Sequence, residues 1–169
     1  GGAFPTVQEL SGIRIMSRVI FMCGPAGSGK STYARQLEAQ GMTRLSTDVV
    51  AWERGIKTMP LPPEIRAAIQ AELQTRLLTL VREGRDVVLD FSFHSRQMRD
   101  EYRALLAPLG IVPGTIYLAT PRKTVLERVR ARQGGHSDDF RLTEELAAQY
   151  FDGFEVPTRK EGPLMIVGE

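Results

Sequence analysis

Short apolar runs and longer segments with helical spacing alternate along the chain. Residues 18–23 carry the first apolar run, which predicts a buried strand, and in 31–40 the apolar residues share one helical face before Gly41. The same alternation continues to the end of the chain. Further strands are predicted at 45–48, 86–90, 115–118 and 164–167, and further helices at 64–83, through 98–109, from 121 onward and at 143–151.

The order of these elements predicts the architecture. Strands that alternate with helices pair in parallel through right-handed crossovers, and the helices cover both faces of the sheet. In such a fold, ligands bind at the carboxyl ends of the strands. The proline-rich stretch 59–63 is predicted to be a loop between two elements. Neither a repeat nor a change of composition divides the sequence, so we expect one domain over 16–169.

Composition and charge narrow the classes of function. The 169 residues are 42% hydrophobic, enough for one core, and the net charge of +2 predicts no general surface for a long polyanion. Cys23, the single cysteine, is expected to be a buried thiol in a reducing cytoplasm. No apolar stretch has the length of a membrane span, so we expect a soluble cytoplasmic protein without a membrane partner. Residues 1–15 are interpreted as an N-terminal extension or a segment left by cloning.

The stretch GPAGSGKST at 24–32 follows the first predicted strand and opens the first predicted helix. It matches the phosphate-binding pattern G-x-x-x-x-G-K-[ST] in the strand, loop and helix context that this pattern requires. Glycines let backbone N–H groups converge on phosphate oxygens, and the helix N-terminus adds further donors. We expect Lys30 to reach the terminal phosphates and Ser31 to bind magnesium. The predicted nucleotide-binding residues of the loop are Gly24, Ala26, Gly27, Ser28, Gly29, Lys30, Ser31 and Thr32.

Two carboxylates follow apolar runs in two predicted strands. Asp90 closes the run 87–89 and is expected to hold magnesium beside the phosphate loop; its alternative role is to cap the next turn or helix. Asp48 closes the second predicted strand and is expected to accept the proton of an attacking hydroxyl. Its alternative role is the N-cap of a helix at 49–54. Both strand ends would then face the same crevice.

Two arginines near the end of a predicted helix are candidates to stabilise the charge that develops during phosphoryl transfer. Arg128 and Arg132 are four residues apart and would share a helix face. The polar segment 133–139 follows them and would close over bound nucleotide as a lid. The alternative is a solvated basic face that pairs with Glu127. The phosphate loop favours the catalytic role, with Arg128 also contacting nucleotide, because a triphosphate needs cations beyond Lys30.

The residues beyond the two carboxylates are candidates for an acceptor site. Aromatic and basic side chains there would form a wall, and a tryptophan would stack on an acceptor ring. The alternatives are core packing for the aromatic residues and an ion pair of Arg99 with Asp100 or Glu101. The only histidines, His94 and His136, predict no metal-ligand cluster. The candidate acceptor residues are Asp48, Trp52, Phe91, Phe93, Arg96 and Arg99.

These residues together resemble the small P-loop kinases that include chloramphenicol phosphotransferase, the zeta toxins and the kinase domain of polynucleotide kinases. The resemblance implies a three-layer α/β P-loop NTPase sandwich, with a parallel sheet of about five strands and a small helical lid. It also implies ATP as phosphoryl donor, Mg²⁺ as cofactor, Asp48 as base and Arg128 and Arg132 as lid arginines. It rests on 24–32, 46–48, 89–90 with Arg96 and Arg99, Arg128 with Arg132, and 154–157.

The acceptor is where the sequence departs from the polynucleotide kinases. Those kinases carry an arginine soon after the base aspartate, whereas here the apolar residues 49–52 follow Asp48. With the nearly neutral charge, this favours transfer to a hydroxyl of a small molecule, such as an antibiotic or a sugar-containing metabolite. Arg54, Lys57 and the pair of Arg96 and Arg99 keep a polynucleotide 5′-hydroxyl as an alternative acceptor. A nucleotide-dependent ATPase switch or binding protein is the second alternative.

Overall fold

The computed structural model describes residues 19–58, 60–132 and 142–168. Five strands in this part of the chain form one sheet, and every pair of neighbouring strands is parallel. The predicted α/β fold with a parallel five-stranded sheet is therefore confirmed. In chain order the strands are β1 (Val19–Cys23), β2 (Thr43–Ser46), β3 (Val87–Asp90), β4 (Gly114–Leu118) and β5 (Leu164–Val167), and across the sheet they lie in the order β2-β3-β1-β4-β5.

Six α-helices alternate with these strands in the described ranges. None of them is long and apolar enough to cross a membrane. Their bounds are α1 (Lys30–Ala39), α2 (Thr47–Glu53), α3 (Pro63–Arg82), α4 (Arg96–Leu106), α5 (Arg122–Ala131) and α6 (Glu144–Asp152).

The core lies on both faces of the sheet. One cluster joins buried side chains of β1 and β3 to Leu73 and Leu77 of α3 and Tyr102 of α4. The other joins the opposite faces of β1, β3 and β4 to Tyr33 and Leu37 of α1. Cys23 belongs to the first cluster, and burial raises the pKa of its thiol to about 12, so it is protonated at neutral pH.

Three predicted boundaries are wrong, and each error has a local cause. The second strand ends at Ser46, because the hydroxyl of Ser46 accepts a hydrogen bond from the N–H of Val49 and starts helix α2. Pro63 is the first residue of helix α3 rather than part of the loop, since proline fits the first turn of a helix. The pair Thr120-Pro121 predicts a threonine cap with proline as the first helical residue, but in the structure Pro121 itself occupies the N-cap position of α5.

The strand register brings the ends of three strands together. Asp90 of β3 lies beside Ser46 of β2 on one side and Met22 of β1 on the other. The loop that follows β1 and the helix that follows β2 therefore begin at the same edge of the sheet as Asp90. This edge is the carboxyl end of the parallel strands, where the alternation of the sequence predicts a ligand.

Candidate active site

The loop between β1 and α1 has a backbone that only glycines permit at several positions. Gly27 and Gly29 have φ values of 86° and 97°, in the left-handed region. A Cβ atom at Gly27 would lie 2.7 Å from the carbonyl oxygen of Val125, and one at Gly24 would lie 2.5 Å from Oγ of Ser28. The glycines thus allow the loop to pack closely on helix α5 and on itself.

Neighbouring segments hold this loop in place. The N–H of Gly24 donates to the carbonyl of Ser92 at 2.9 Å, and the hydroxyl of Thr120 donates to the carbonyl of Ser28 at 2.6 Å. Arg128 donates from Nη1 to the carbonyl of Gly27 at 3.3 Å. Three neighbouring segments therefore fix the loop through hydrogen bonds within the protein, which is what preorganisation of a phosphate site requires.

One pocket lies at this loop. Its lining combines backbone of the loop with one lysine, one hydroxyl, one carboxylate and one arginine, which are the groups that bind and transfer a phosphate. Three predicted loop residues lie outside the lining: Gly24 and Ser28 are buried against each other, and Thr32 is exposed on α1. The lining residues are Ala26, Gly27, Gly29, Lys30, Ser31, Asp48 and Arg132.

A buried cluster of charges lies at the floor of the site. Nζ of Lys30 donates to Oδ1 of Asp90 at 3.1 Å, and Arg44 donates to Oδ2 from Nε at 3.1 Å and from Nη2 at 2.7 Å. The side chain of Asp90 is fully buried, and those of Lys30 and Arg44 are 7% and 8% exposed. Each oxygen of the carboxylate is therefore bound by a different cation.

This pairing decides the charge states of the cluster. Burial by itself would raise the pKa of Asp90, but the charges of Lys30 and Arg44 outweigh it and hold that pKa below its usual range. Burial would likewise lower the pKa of Lys30, but Asp90 and then Asp48 hold it above its usual range. All three members of the cluster are therefore ionised at neutral pH.

The residues at the pocket fit a triphosphate with magnesium. Lys30 reaches the pocket from the first turn of α1, and Asp48 and Arg132 also line it. Ser31 is hydrogen-bonded to Asp90, so a hydroxyl oxygen and a carboxylate oxygen lie together beside the loop. Magnesium prefers oxygen ligands of these two kinds, together with phosphate oxygens and water. The donor set that the sequence predicts is thus assembled at one place.

Asp48 lies in the pocket but not at a strand end. It is the second residue of α2, and Ser46 rather than Asp48 caps this helix. Both the predicted strand-end position and the alternative N-cap role are therefore wrong. The helix is tied to α3 and α4 through Gln70, which donates from Nε2 to Oγ1 of Thr47 at 3.3 Å and accepts from the hydroxyl of Tyr102.

The two predicted lid arginines differ in position. Helix α5 ends at Ala131, and Arg132 has an extended backbone with φ −79° and ψ 138°, so it does not share a helical face with Arg128. Arg132 nevertheless lines the pocket, while Arg128 contacts the loop backbone. The proposed lid 133–139, including His136, lies outside the described residues.

The aromatic part of the predicted acceptor wall is wrong. Phe93 is fully buried and stacks on Phe21 of β1 with a centroid distance of 4.2 Å. Phe91 is 6% exposed and contacts the rings of Phe93 and Tyr102. The turn after β3 explains this, because Ser92 and Phe93 have φ values of 69° and 53° that direct the chain back into the core.

Arg99 also lies in the core rather than at an acceptor. It donates from Nη1 to the carbonyl of Phe93 at 2.7 Å, and from Nε to Oε1 of Glu161 at 2.8 Å. Its side chain is 1% exposed and that of Glu161 is 2% exposed. The predicted acceptor role and the predicted pairing with Asp100 or Glu101 are both wrong, and Arg99 instead supports the turn that follows Asp90.

The remaining candidates lie nearer the surface. Arg96 is 51% exposed and pairs with Asp100 at 3.1 Å. Trp52 on α2 is half-buried, and Nζ of Lys57 lies 3.5 Å from the centroid of its ring. His94 is exposed; partial burial and then the charge of Arg66 lower its pKa, so its ring is neutral at pH 7. Trp52 is the aromatic candidate that shares a helix with Asp48.

The sequence of the chain matches a known family over residues 19–157. The match covers the strand, loop and helix of the phosphate site and extends to the last segment before β5. The family is the AAA domain family AAA_33. This chain belongs to it. No curated protein matches the sequence of the chain.

Solved structures, several of them of kinases, share the fold of this AAA_33 domain. A protein provisionally named a kinase from Chloroflexus aurantiacus is 19% identical with a TM-score of 0.70, over 90% of this chain and 88% of its own. A gluconokinase from Sinorhizobium meliloti 1021 is 25% identical with a TM-score of 0.59, over 88% and 81%. Kti12 from Chaetomium thermophilum, solved with ADP-AlF3, is 15% identical with a TM-score of 0.61, over 88% of each chain. The AAA_33 domain therefore has a kinase-like P-loop fold.

Sequence reasoning missed two charged residues of this domain. Arg44 contacts Asp90, and its partner is visible only once β2 is known to lie beside β3. Alternation along β2 places Arg44 and Ser46 on one face, which is the one local signal. Glu161 pairs with Arg99 from 62 residues away, and no local pattern indicates it.

The pair of Arg99 and Glu161 leads to a stability prediction. Burial opposes the charge of Glu161, but hydrogen bonds from Arg99 and from the N–H of Thr158 hold its pKa at about 2, below the ordinary 4.5. We expect Glu161→Gln to lower the free energy of unfolding by about 3 kcal/mol and Tm by roughly 10 °C, because Arg99 stays buried without a charged partner. Thermal unfolding at neutral pH measures this loss.

The pH dependence of the loss of stability in Glu161→Gln shows whether the missing charge or altered packing causes it. Stabilisation by a carboxylate with a lowered pKa is complete above its unfolded value and is lost as the pH falls. The wild-type protein should therefore lose its advantage over Glu161→Gln between pH 4.5 and about 2. Glu144→Gln removes an exposed carboxylate paired with Arg130 and should leave Tm nearly unchanged. Equal Tm values for Glu161→Gln and the wild type would contradict the prediction.

Proposed function

We propose that this domain is an ATP-dependent kinase that transfers the γ-phosphoryl group to a hydroxyl of a small molecule. One observation carries the proposal: Asp48, Lys30 and Arg132 line the same pocket as the phosphate loop. A loop that only held nucleotide would need no carboxylate here, because a negative charge opposes phosphate binding. A carboxylate is useful at this place if it accepts a proton from an attacking hydroxyl.

Each group has a role in the proposed transfer. The backbone of the loop and Lys30 bind the phosphates of ATP, and Asp48 orients the acceptor hydroxyl and takes its proton. The acceptor oxygen forms a bond to the γ-phosphorus while the bond from that phosphorus to the β,γ-bridging oxygen breaks, and ADP leaves with that oxygen. Arg132 stabilises the charge on the transferred group, and Arg128 holds the loop at Gly27.

Ser31 and Asp90 are the residues that would hold magnesium. When bound, magnesium supplies positive charge that neutralises the phosphate oxygens. Oδ2 of Asp90 is already bound by the guanidinium of Arg44, so it would not be the oxygen that contacts the metal. Oδ1, which Lys30 contacts, is the oxygen on the side of the loop.

The surroundings of Asp48 favour a small acceptor. Val50 and Ala51 of α2 are buried, and Trp52 offers an aromatic surface beside them. A gluconokinase at 25% identity and a sugar kinase at 20% identity are among the solved structures that share the fold. Sugars, sugar acids and other polyhydroxylated metabolites are therefore the first acceptors to test, followed by antibiotics that carry hydroxyl groups.

A panel of acceptors tests the proposal. The protein is incubated with ATP and magnesium chloride, together with sugars, sugar acids, hydroxylated antibiotics, nucleosides or a short oligonucleotide with a 5′-hydroxyl. ADP release and the mass of each acceptor are measured. We expect one class of small molecule to gain one phosphate and to accelerate ADP release in proportion.

Two other results would replace the proposal. ADP release that no acceptor accelerates would indicate an ATPase. Phosphorylation of the oligonucleotide alone, with a rate that falls steeply as salt increases, would indicate a nucleic-acid kinase. A protein that neither binds nor hydrolyses ATP would contradict the proposed function altogether.

A further inference from the structure

Arg44 is the one member of the buried charge cluster that has no place in phosphoryl transfer as described above. It lies on the edge strand β2, two residues before Ser46, and β2 pairs with β3 so that Ser46 is beside Asp90. Its guanidinium extends along the strand and binds Oδ2 of Asp90 through Nε and Nη2. The site therefore contains two cations on one carboxylate.

The two cations differ in how easily each can leave Asp90. Lys30 is in the first turn of α1 and lines the pocket, so its ammonium can turn from Asp90 to a phosphate. Arg44 is outside the pocket lining, and its 8% exposed side chain holds the opposite oxygen. When a triphosphate binds, Lys30 thus leaves Oδ1 of Asp90, while Oδ2 stays paired with Arg44.

Without Arg44, this exchange would be costly. The side chain of Asp90 is fully buried, and a buried carboxylate that loses its only cation is strongly destabilised. Lys30 would then have to stay with Asp90, and it could not contact the phosphates that bind to the loop. The second cation removes this conflict.

We propose that Arg44 is a positioning residue that keeps Asp90 paired while Lys30 moves to the phosphates of the nucleotide. This inference rests on the proposed function only in that ATP binds at the loop; it does not depend on the acceptor. Arg44 also fixes the orientation of the carboxylate, because two donors of one planar group bind the same oxygen. Lys30 is consequently free to serve the nucleotide without unbalancing the core.

Calorimetric titration with ATP tests this role without measuring catalysis. Affinity is measured in EDTA and again in excess magnesium chloride, for the wild type, Arg44→Gln and Arg44→Lys. We expect Arg44→Gln to weaken ATP binding in EDTA about tenfold or more, because Asp90 would be left without a cation. With magnesium the loss should be several-fold smaller, since an ion held by Ser31 and Asp90 would supply the missing positive charge. Arg44→Lys keeps the charge but loses the planar pair of donors, so its affinity should lie between those of Arg44→Gln and the wild type in both conditions.

Control variants separate this role from a general effect on folding. Arg122→Gln removes an exposed guanidinium that pairs with Asp152, and it should leave both affinities unchanged. Thermal unfolding without nucleotide shows which variants are folded. If Arg44→Gln does not fold, Asp90→Asn carries the test: it removes the charge that retains Lys30, so it should bind ATP in EDTA at least as tightly as the wild type.

The outcomes distinguish this inference from the proposed function. If the wild type binds ATP and Arg44→Gln binds it equally well in EDTA, Arg44 has no such role and the proposed function stands. Equal losses with and without magnesium, or Arg44→Lys as weak as Arg44→Gln, would likewise overturn the inference. Weaker binding of metal-free ATP by Asp90→Asn would also overturn it. If the wild type does not bind ATP, the proposed function fails, and the inference fails with it.

Discussion

Asp48→Asn is expected to slow phosphoryl transfer to the acceptor by about 10²- to 10⁴-fold, the range that a general base contributes. The amide has nearly the same shape but cannot take the proton. ATP binding should be retained or slightly strengthened, because the substitution removes a negative charge from the lining of the phosphate pocket. Rates of acceptor phosphorylation and the dissociation constant of ATP, measured on the same preparation, test both parts.

A second aspartate provides the control for Asp48. Asp152 at the end of α6 is exposed and pairs with Arg122, so Asp152→Asn should transfer phosphate at the wild-type rate. If Asp48→Asn retained acceptor phosphorylation while Asp90→Asn abolished it, the assignment of Asp48 as base would be wrong. Equal losses of ATP binding and of transfer in Asp48→Asn would point to a disturbed pocket instead.

Lys30→Met is expected to reduce kcat/KM by roughly 10³-fold, because Lys30 is the cation that the loop presents to the terminal phosphates. Unlike Asp48→Asn, this variant should also lose affinity for ATP. Its fold should persist, since Arg44 still pairs with the buried carboxylate of Asp90. Steady-state kinetics, ATP titration and thermal unfolding together measure the three effects.

Lys123→Met is the matched control for Lys30. Lys123 is exposed in the first turn of α5, and its replacement should alter neither kinetics nor ATP affinity. If Lys30→Met kept the wild-type affinity for ATP, the loop would not bind the nucleotide through this lysine. If Lys30→Met unfolded, Arg44 would not suffice to pair Asp90.

The fold and the phosphate loop were predictable because their signals are local. Strands β1, β3 and β5 are largely apolar runs, and the helices repeat apolar residues at the helical period. The loop is recognised by four residues within eight positions, and its roles follow from the chemistry of those residues. Asp90 ends β3 as its sequence context predicts.

The acceptor side was less predictable because its determinants are not local. The side chain of Phe93 enters the core through two residues with positive φ, which nothing in the letters Ser-Phe indicates. Arg99 finds its partner at Glu161, and Arg44 finds Asp90, only after distant segments come together. The sequence predicts Asp48 at a strand end, but the hydroxyl of Ser46 ends that strand and starts a helix two residues earlier.

The proposed donor half and the proposed acceptor half of this domain rest on different parts of the fold. The phosphate loop, Lys30 and Asp90 follow the central strands β1 and β3, whereas Asp48 and Trp52 are carried by a helix of seven residues that Gln70 ties to its neighbours. Substitutions at positions of α2 and α3 outside the core cluster can therefore reshape the proposed acceptor side without disturbing the strands beneath the loop. In evolutionary terms, a lineage with this architecture can exchange its substrate while it keeps its energy source.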